Sequence, residues 1–144
     1  MTEPADRPTA TPFLAALAII VLVVIAIGLF NFFEGDELSD DQQVARSAVG
    51  QNDALQRQSY PDFRNYTCEA QLGKEADILA QQRDSAAKQG ERFVDSVTDV
   101  VVDGDGATAK VTYYFDKAPD TKTAVEMTFV RQDGAWKVCS TGPR

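Results

Sequence analysis

Hydrophobic and polar positions change character three times along the chain. Phe13 to Phe33 form an unbroken apolar run with no charge and one strongly polar residue, Asn31. At 1.5 Å per residue, a helix over this run spans about 31 Å, the thickness of bilayer hydrocarbon. From residue 39 a helical period takes over. Ser39 and Gln42 have the spacing of a capping box, and Asp40 and Asp41 suit a first turn. Val44, Ala48 and Leu55, flanked by Ala45 and Val49, supply an apolar stripe. This helix is expected to continue almost directly from the membrane run, with a break near Gly35. Pro61, within residues 59–66, is expected to interrupt the helical pattern. A second helix is expected from about Cys68 to Lys88, with Leu72, Ala76, Leu79 and Ala80 on one face and Gly90 as its stop.

Beyond Gly90 the period drops to two. Residues 92–102 are β-branched and strand-like, and the Asp-Gly-Asp-Gly run at 103–106 signals a turn. Ala107, Ala109, Val111, Tyr113 and Phe115 then alternate on one face, as do Val125, Met127 and Phe129. Residues 117–122 read as a looser loop between these strands. Asp133-Gly134 is a second hairpin turn, leading to a last strand over 135–140. Two helices followed by four strands on short connections specify an α+β domain, an antiparallel meander with helices on one face. Strict alternation would put Cys139 opposite Trp136 and Val138, so the pattern leaves the face of Trp136 open.

The apolar run divides the chain into a tail (1–12), a transmembrane helix (13–33) and one domain (34–144). The tail carries Arg7 and the α-amino group, whereas Glu34, Asp36, Glu37, Asp40 and Asp41 follow the run. Positive residues favour the cytoplasmic side, so the N-terminus is expected inside and the domain outside the cell membrane. A cleaved signal peptide competes with this reading. It would have a shorter apolar core and small residues at the cleavage site, where this run ends in Phe30, Phe32 and Phe33. Cys68 and Cys139 are the only cysteines. An even count in an oxidising compartment favours a disulfide between them, two separate buried thiols being the alternative. A net charge of −8 excludes an electrostatic grip on nucleic acid or anionic lipid.

Several segments carry a resemblance: Cys68 opening a helix, residues 102–115 (VDGDGATAKVTYYF) and the closing FVRQDGAWKVC of residues 129–139. With a membrane anchor in front, residues 39–144 resemble small actinobacterial membrane proteins with an extracytoplasmic NTF2-like (cystatin-like) domain. The resemblance implies helices packed on a curled four-stranded meander that encloses a pocket in some members. That superfamily includes isomerases and dehydratases, and also non-catalytic accessory proteins of cell-envelope machinery. Fold alone does not choose among these roles.

Candidate chemistry is sparse. The chain has no histidine, which removes the usual general base and most zinc and haem sites. Tyr113 with Asp95 or Asp99 is the one arrangement that could move a proton, against the plainer reading of Tyr113 as core and the acids as solvated. Asp99, Asp103 and Asp105 gather oxygens beside a Gly-rich turn, but the downstream bidentate Glu of a calcium loop is missing, so a hairpin turn is favoured. Asn65-Tyr66-Thr67 is a formal glycosylation sequon with a local turn as its plainer reading. Tyr113, Phe115, Phe129 and Trp136 could line a pocket or simply fill the core. No cofactor or metal is expected. The expected partners are membrane lipid, through residues 13–33, and an envelope protein complex. The function expected is a non-catalytic, membrane-anchored accessory or assembly subunit. A small apolar-ligand or lipid-binding module is the alternative, and a lyase- or isomerase-like enzyme the weakest reading.

Overall fold

The computed structural model describes residues 10–33 and 37–142. The expected break at Gly35 and residues 1–9 of the tail lie outside the described residues, and Thr11 and Pro12 belong to the first helix. Two compact units divide between Glu37 and Leu38. The first contains helix α1 (Thr11–Phe33), of which Thr11–Phe32 is long and apolar enough to cross a membrane. Leu22, Val24 and Phe30 among others are exposed along it. A helix apolar on all sides needs an apolar surrounding, which a membrane anchor or a signal sequence would each find in a bilayer.

The second unit opens with α2 (Asp40–Gln56), whose capping box forms as expected: Ser39 Oγ accepts from Gln42 N, and Gln42 Oε1 accepts from Ser39 N. The buried stripe of α2 is Val44, Ser47, Ala48, Gln51 and Ala54, so it is more polar than the sequence pattern implied, and Val49 faces solvent. Pro61 does not break helical structure. It sits in the first turn of a short helix, α3 (Tyr60–Tyr66), where its missing N–H costs nothing. The single helix expected from Cys68 to Lys88 is instead a 3-10 turn (Glu69–Gln71) and α4 (Glu75–Gln89). Between them Gly73 takes a φ of +60°, a left-handed conformation that ends the first piece.

Four strands follow in the sheet order β1-β2-β3-β4, all antiparallel: β1 (Arg92–Asp103), β2 (Gly106–Phe115), β3 (Ala118–Gln132) and β4 (Ala135–Val138). Residues 118–122 belong to β3 rather than to a loop, because Phe115 pairs directly with Ala118 across a tight turn. Asp133 and Gly134 have φ of 53° and 75°, the positive pair that matches the twist of a two-residue hairpin. Register shifts between Val94 and Ser96 and between Thr98 and Val101 bend β1. α2 touches both β1 and β4, the two outer strands of the sheet. Four strands laid flat would separate those edges by about 14 Å, more than a helix is wide, so the sheet curls around α2.

The core lies in this trough. Val44 and Ala48 of α2 meet Val111, Met127, Phe129, Trp136 and Val138 of the sheet. Each large side chain buried here contributes roughly 1.5–3 kcal/mol. Trp136 and Val138 are both in the core, and β4 ends at Val138, so alternation no longer constrains Cys139. Cys68 and Cys139 form a disulfide that ties the loop before the 3-10 turn to the segment after β4. A bridge from Thr67 to Val138 and a bond from Cys68 N to Val138 O reinforce the same junction.

Candidate functional site: a polar cleft beside the disulfide

A cleft with a cavity of about 80 Å³ opens between the helices and the C-terminal tail. Leu55, Phe63 and Ile78 give it an apolar floor, while Gln51, Gln71, Gln81 and Gln82 set amides around it. Ser85 adds a hydroxyl, and residues 140–142 form the opposite wall. Both loop walls depend on the disulfide. Gln71 stands three residues after Cys68, and Ser140 directly follows Cys139. The tail is fixed to β3 by Thr128, whose N–H donates to Ser140 Oγ and whose hydroxyl donates to the Cys139 carbonyl.

Arg92, the first residue of β1, is the one charged side chain among the described residues lining the cleft. It is 4 % exposed. Two residues one turn apart on α2 hold it. Asn52 Oδ1 accepts from Arg92 Nε at 2.7 Å and Asn52 Nδ2 donates to its carbonyl, while Gln56 Oε1 accepts from its backbone N–H. Gln56 Nε2 is itself buried without a hydrogen-bond partner among the described residues. Burial lowers the Arg92 pKa to about 10, with the nearby Tyr113 acting in the opposite direction, and the guanidinium stays charged at neutral pH.

The four aromatic residues expected as pocket lining lie elsewhere. Phe129 and Trp136 are core residues, 1 % and 3 % exposed. Tyr113 and Phe115 sit half-buried on β2, edge to face with ring centroids 5.7 Å apart. None of the four lines the cleft. The acids considered beside Tyr113 are engaged on the surface, Asp95 with Lys122 at 2.8 Å and Asp99 with Lys110 at 2.9 Å. The hydrogen bond from Lys110, with its charge, holds the Asp99 carboxyl below the usual carboxylate range, opposite to what a proton donor at neutral pH needs. Asp103 and Asp105 belong to the β1–β2 hairpin, and no cluster of three metal-ligating side chains occurs among the described residues.

A second polar constellation anchors the start of α2. Asp40 Oδ1 accepts from Trp136 Nε1 at 2.9 Å and from Arg131 Nη2 at 2.7 Å, and the Arg131 guanidinium lies 4.7 Å over the Trp136 ring. The Trp136 hydrogen bond, then Arg131, lower the Asp40 pKa against a partial opposing effect of burial. Sequence reasoning missed the cleft, although two positions hinted at it. Gln51 falls on the inward stripe of α2, and Arg92 opens a strand where an apolar residue would be expected.

The profile of the family described as "Low molecular weight antigen MTB12, C-terminal domain" matches residues 70–141, half of the chain. The match begins in the 3-10 turn and ends in the tail, taking in Gln71, Arg92 and Thr141 of the cleft. Among solved structures, one described as an NTF2-like transpeptidase from Campylobacter jejuni is 15 % identical, with a TM-score of 0.45 over 65 % of this chain and 94 % of that one. One described as a dehydratase of the NTF2-like family from Streptomyces avermitilis is 17 % identical, with a TM-score of 0.44 over 69 % and 90 %. A cystatin-fold protein from Novosphingobium aromaticivorans is 9 % identical, with a TM-score of 0.42 over 65 % and 93 %. No curated protein matches the chain. The family profile spans α4, the whole sheet and the disulfide's second cysteine, and on that match the chain belongs to the family of the low molecular weight antigen MTB12 C-terminal domain.

Proposed function

We propose that this protein is a non-catalytic accessory or assembly subunit, anchored by residues 13–33 with its N-terminus in the cytoplasm, that presents its domain to a cell-envelope complex. The observation that carries this reading is the filling of the sheet's concave face. The positions from which an enclosed site would be built are occupied by Val111, Met127, Phe129 and Trp136 packed on Val44 and Ala48. An enzyme of the lyase or isomerase kind would need a carboxylate near Tyr113 with a raised pKa, and Asp99 is displaced the other way. A lipid carrier would need a roomy apolar cavity; the cleft offers about 80 Å³ with amides around it, and the larger depression of about 780 Å³ beside Arg64, Glu69 and Lys137 is lined mostly by polar residues. The disulfide suits an oxidising compartment outside the cytoplasm, and α1 suits an anchor.

Cross-linking the full-length protein in native membranes, with mass-spectrometric readout against an anchor-only control, tests the proposal. A stoichiometric partner captured only with the domain is the expected result. No domain-dependent partner would overturn the accessory role. A mature protein whose mass lacks the first 33 or so residues would overturn the anchoring.

A further inference from the structure

Helix α4 buries an amide in preference to its aliphatic side chains. Of its 15 residues only Gln82 is buried, at 7 % exposure, while Ile78 and Leu79 stay half-buried and Ala76 and Ala80 face solvent. Gln82 lines the cleft, and its side chain makes no hydrogen bond among the described residues. A buried amide without a partner has given up water for nothing, so a helix that only shields a core would place an aliphatic side chain here. Gln51 on α2 is in the same position by half. It is 9 % exposed, and its Nε2 donates to Thr67 Oγ1 at 2.9 Å. Its Oε1 turns toward the tail wall, where a Cβ at Gly142 would come within 3.8 Å of it, and accepts no hydrogen bond among the described residues. Leu55, Phe63 and Ile78 form the floor beside these amides. Water would satisfy the amides but would lose hydrogen bonds against that floor. Arg92 is engaged within the wall, its Nε bonded to Asn52, and the amides form a site without it.

We infer that this cleft is a binding site for an acetamido group, a secondary amide with a methyl, carried by an N-acetylated amino sugar or an N-acetylated amino acid. The Gln82 amide supplies an N–H donor for the ligand's carbonyl, and Gln51 Oε1 an acceptor for its N–H. Both protein amides are then satisfied by a single group, and the methyl rests on Leu55, Phe63 and Ile78. An ester lacks the proton that Gln51 Oε1 accepts, and a carboxylate would set a second acceptor against it. The cavity of about 80 Å³ has space for roughly two or three waters, enough for the acetamido group but not for the body that carries it. That body stays at the mouth, beside the exposed Gln81. Because α4 buries so little, small displacements widen the mouth at little cost and give the ligand a way in. The inference goes beyond the accessory role and does not depend on it, since every residue involved belongs to the domain.

The test is a titration of the ¹⁵N-labelled full-length protein in phosphocholine-detergent micelles, read at the side-chain amide resonances by NMR. N-methylacetamide is the probe, and saturable shifts at Gln82 and Gln51 are expected. N-methylformamide lacks the acetyl methyl and should bind about fourfold more weakly, the factor for one buried methyl. Methyl acetate lacks the N–H and should bind at least about fivefold more weakly, because Gln51 Oε1 is left without a donor. N-acetylglucosamine and N-acetylalanine methylamide present the group on a sugar and on an amino acid. Tighter binding of either than of the bare probe supports the inference and names the source, and exclusion of both would overturn it. Glucose should move neither amide. Gln82→Leu keeps the bulk of the side chain and removes its amide. It should weaken N-methylacetamide binding at least about fivefold without lowering the thermal midpoint, since the amide bonds to nothing in the described fold. A lowered midpoint would overturn the inference, because the amide would then be serving the fold. So would an absence of saturable shifts at Gln82 and Gln51, equal binding of the three small probes, or a glucose response as strong as that to N-acetylglucosamine.

Discussion

Gly50 sits in the middle of α2, where glycine is a poor choice for a helix, and replacing it with alanine should ordinarily stabilise the helix by about 1 kcal/mol. The tertiary structure reverses that expectation. A Cβ built at Gly50 would lie 2.5 Å from Tyr66 Cζ and 2.6 Å from Tyr66 Cε1, closer than any such contact can be. The Tyr66 ring of α3 lies directly on the bare backbone of α2, so Gly50→Ala forces it off. Overpacking of this kind costs roughly 1–3 kcal/mol, which cancels or exceeds the gain in helix propensity. With Tyr66→Ala in the background the obstruction is gone, and Gly50→Ala should stabilise by the full helical amount of about 1 kcal/mol. The coupling between the two sites should therefore be roughly 1–3 kcal/mol. Urea unfolding of the full-length chain in micelles reads this directly through the single tryptophan, Trp136, which is buried in the core. If Gly50→Ala shifts stability equally in both backgrounds, to within about 0.5 kcal/mol, the packing argument is wrong.

The disulfide closes a separation of 71 residues, so its loss should cost about 4 kcal/mol through the freedom returned to the unfolded chain. For a domain of this size that corresponds to a fall in Tm of roughly 15–20 °C, measured by calorimetry with and without reductant. A fall of less than about 5 °C would contradict the chain-entropy argument. Asp40 supplies a pH dependence whose sign follows from its lowered pKa. The unfolded chain takes up this proton more readily than the folded one, so the Asp40 contribution is whole above the ordinary carboxylate value of about 4 and is lost as pH falls through the lower folded value. Urea midpoints between about pH 5 and pH 2 should show a shallower acid loss in Asp40→Asn than in the wild type, with Asp62 and Asp99, also lowered, contributing equally to both. Parallel profiles would refute a stabilising role for the Asp40–Trp136–Arg131 cluster.

The sequence by itself determined the apolar helix, the capping box at Ser39, the four-strand meander with its two tight turns, and the α+β class. Each of these rests on local or periodic signals: an uninterrupted apolar run, a three-residue capping spacing, alternation of period two, and Asp-Gly pairs that favour positive φ. Where the sequence failed, the deciding features were backbone conformations and pairings that hydrophobic periodicity does not carry. The division of the expected second helix turned on the left-handed Gly73, and the start of β3 on a direct pairing of Phe115 with Ala118. Trp136 could be placed only once β4 was seen to end at Val138, since alternation holds no further than the strand.

Tertiary structure alone decided which polar residues came together. Asn52 and Gln56 are polar side chains with no sequence signal of a partner, yet the curl of the sheet brings β1 against them and lets both bond to Arg92. The cleft joins α2, α3, the 3-10 turn, α4, β1 and the tail, segments separated by up to about 90 residues, and no periodicity within one segment can announce a site shared by six. Periodicity reports which face a residue turns toward the core. Which residue waits for it on the other side is set by register, bulges and the one covalent cross-link, and those are properties of the folded chain.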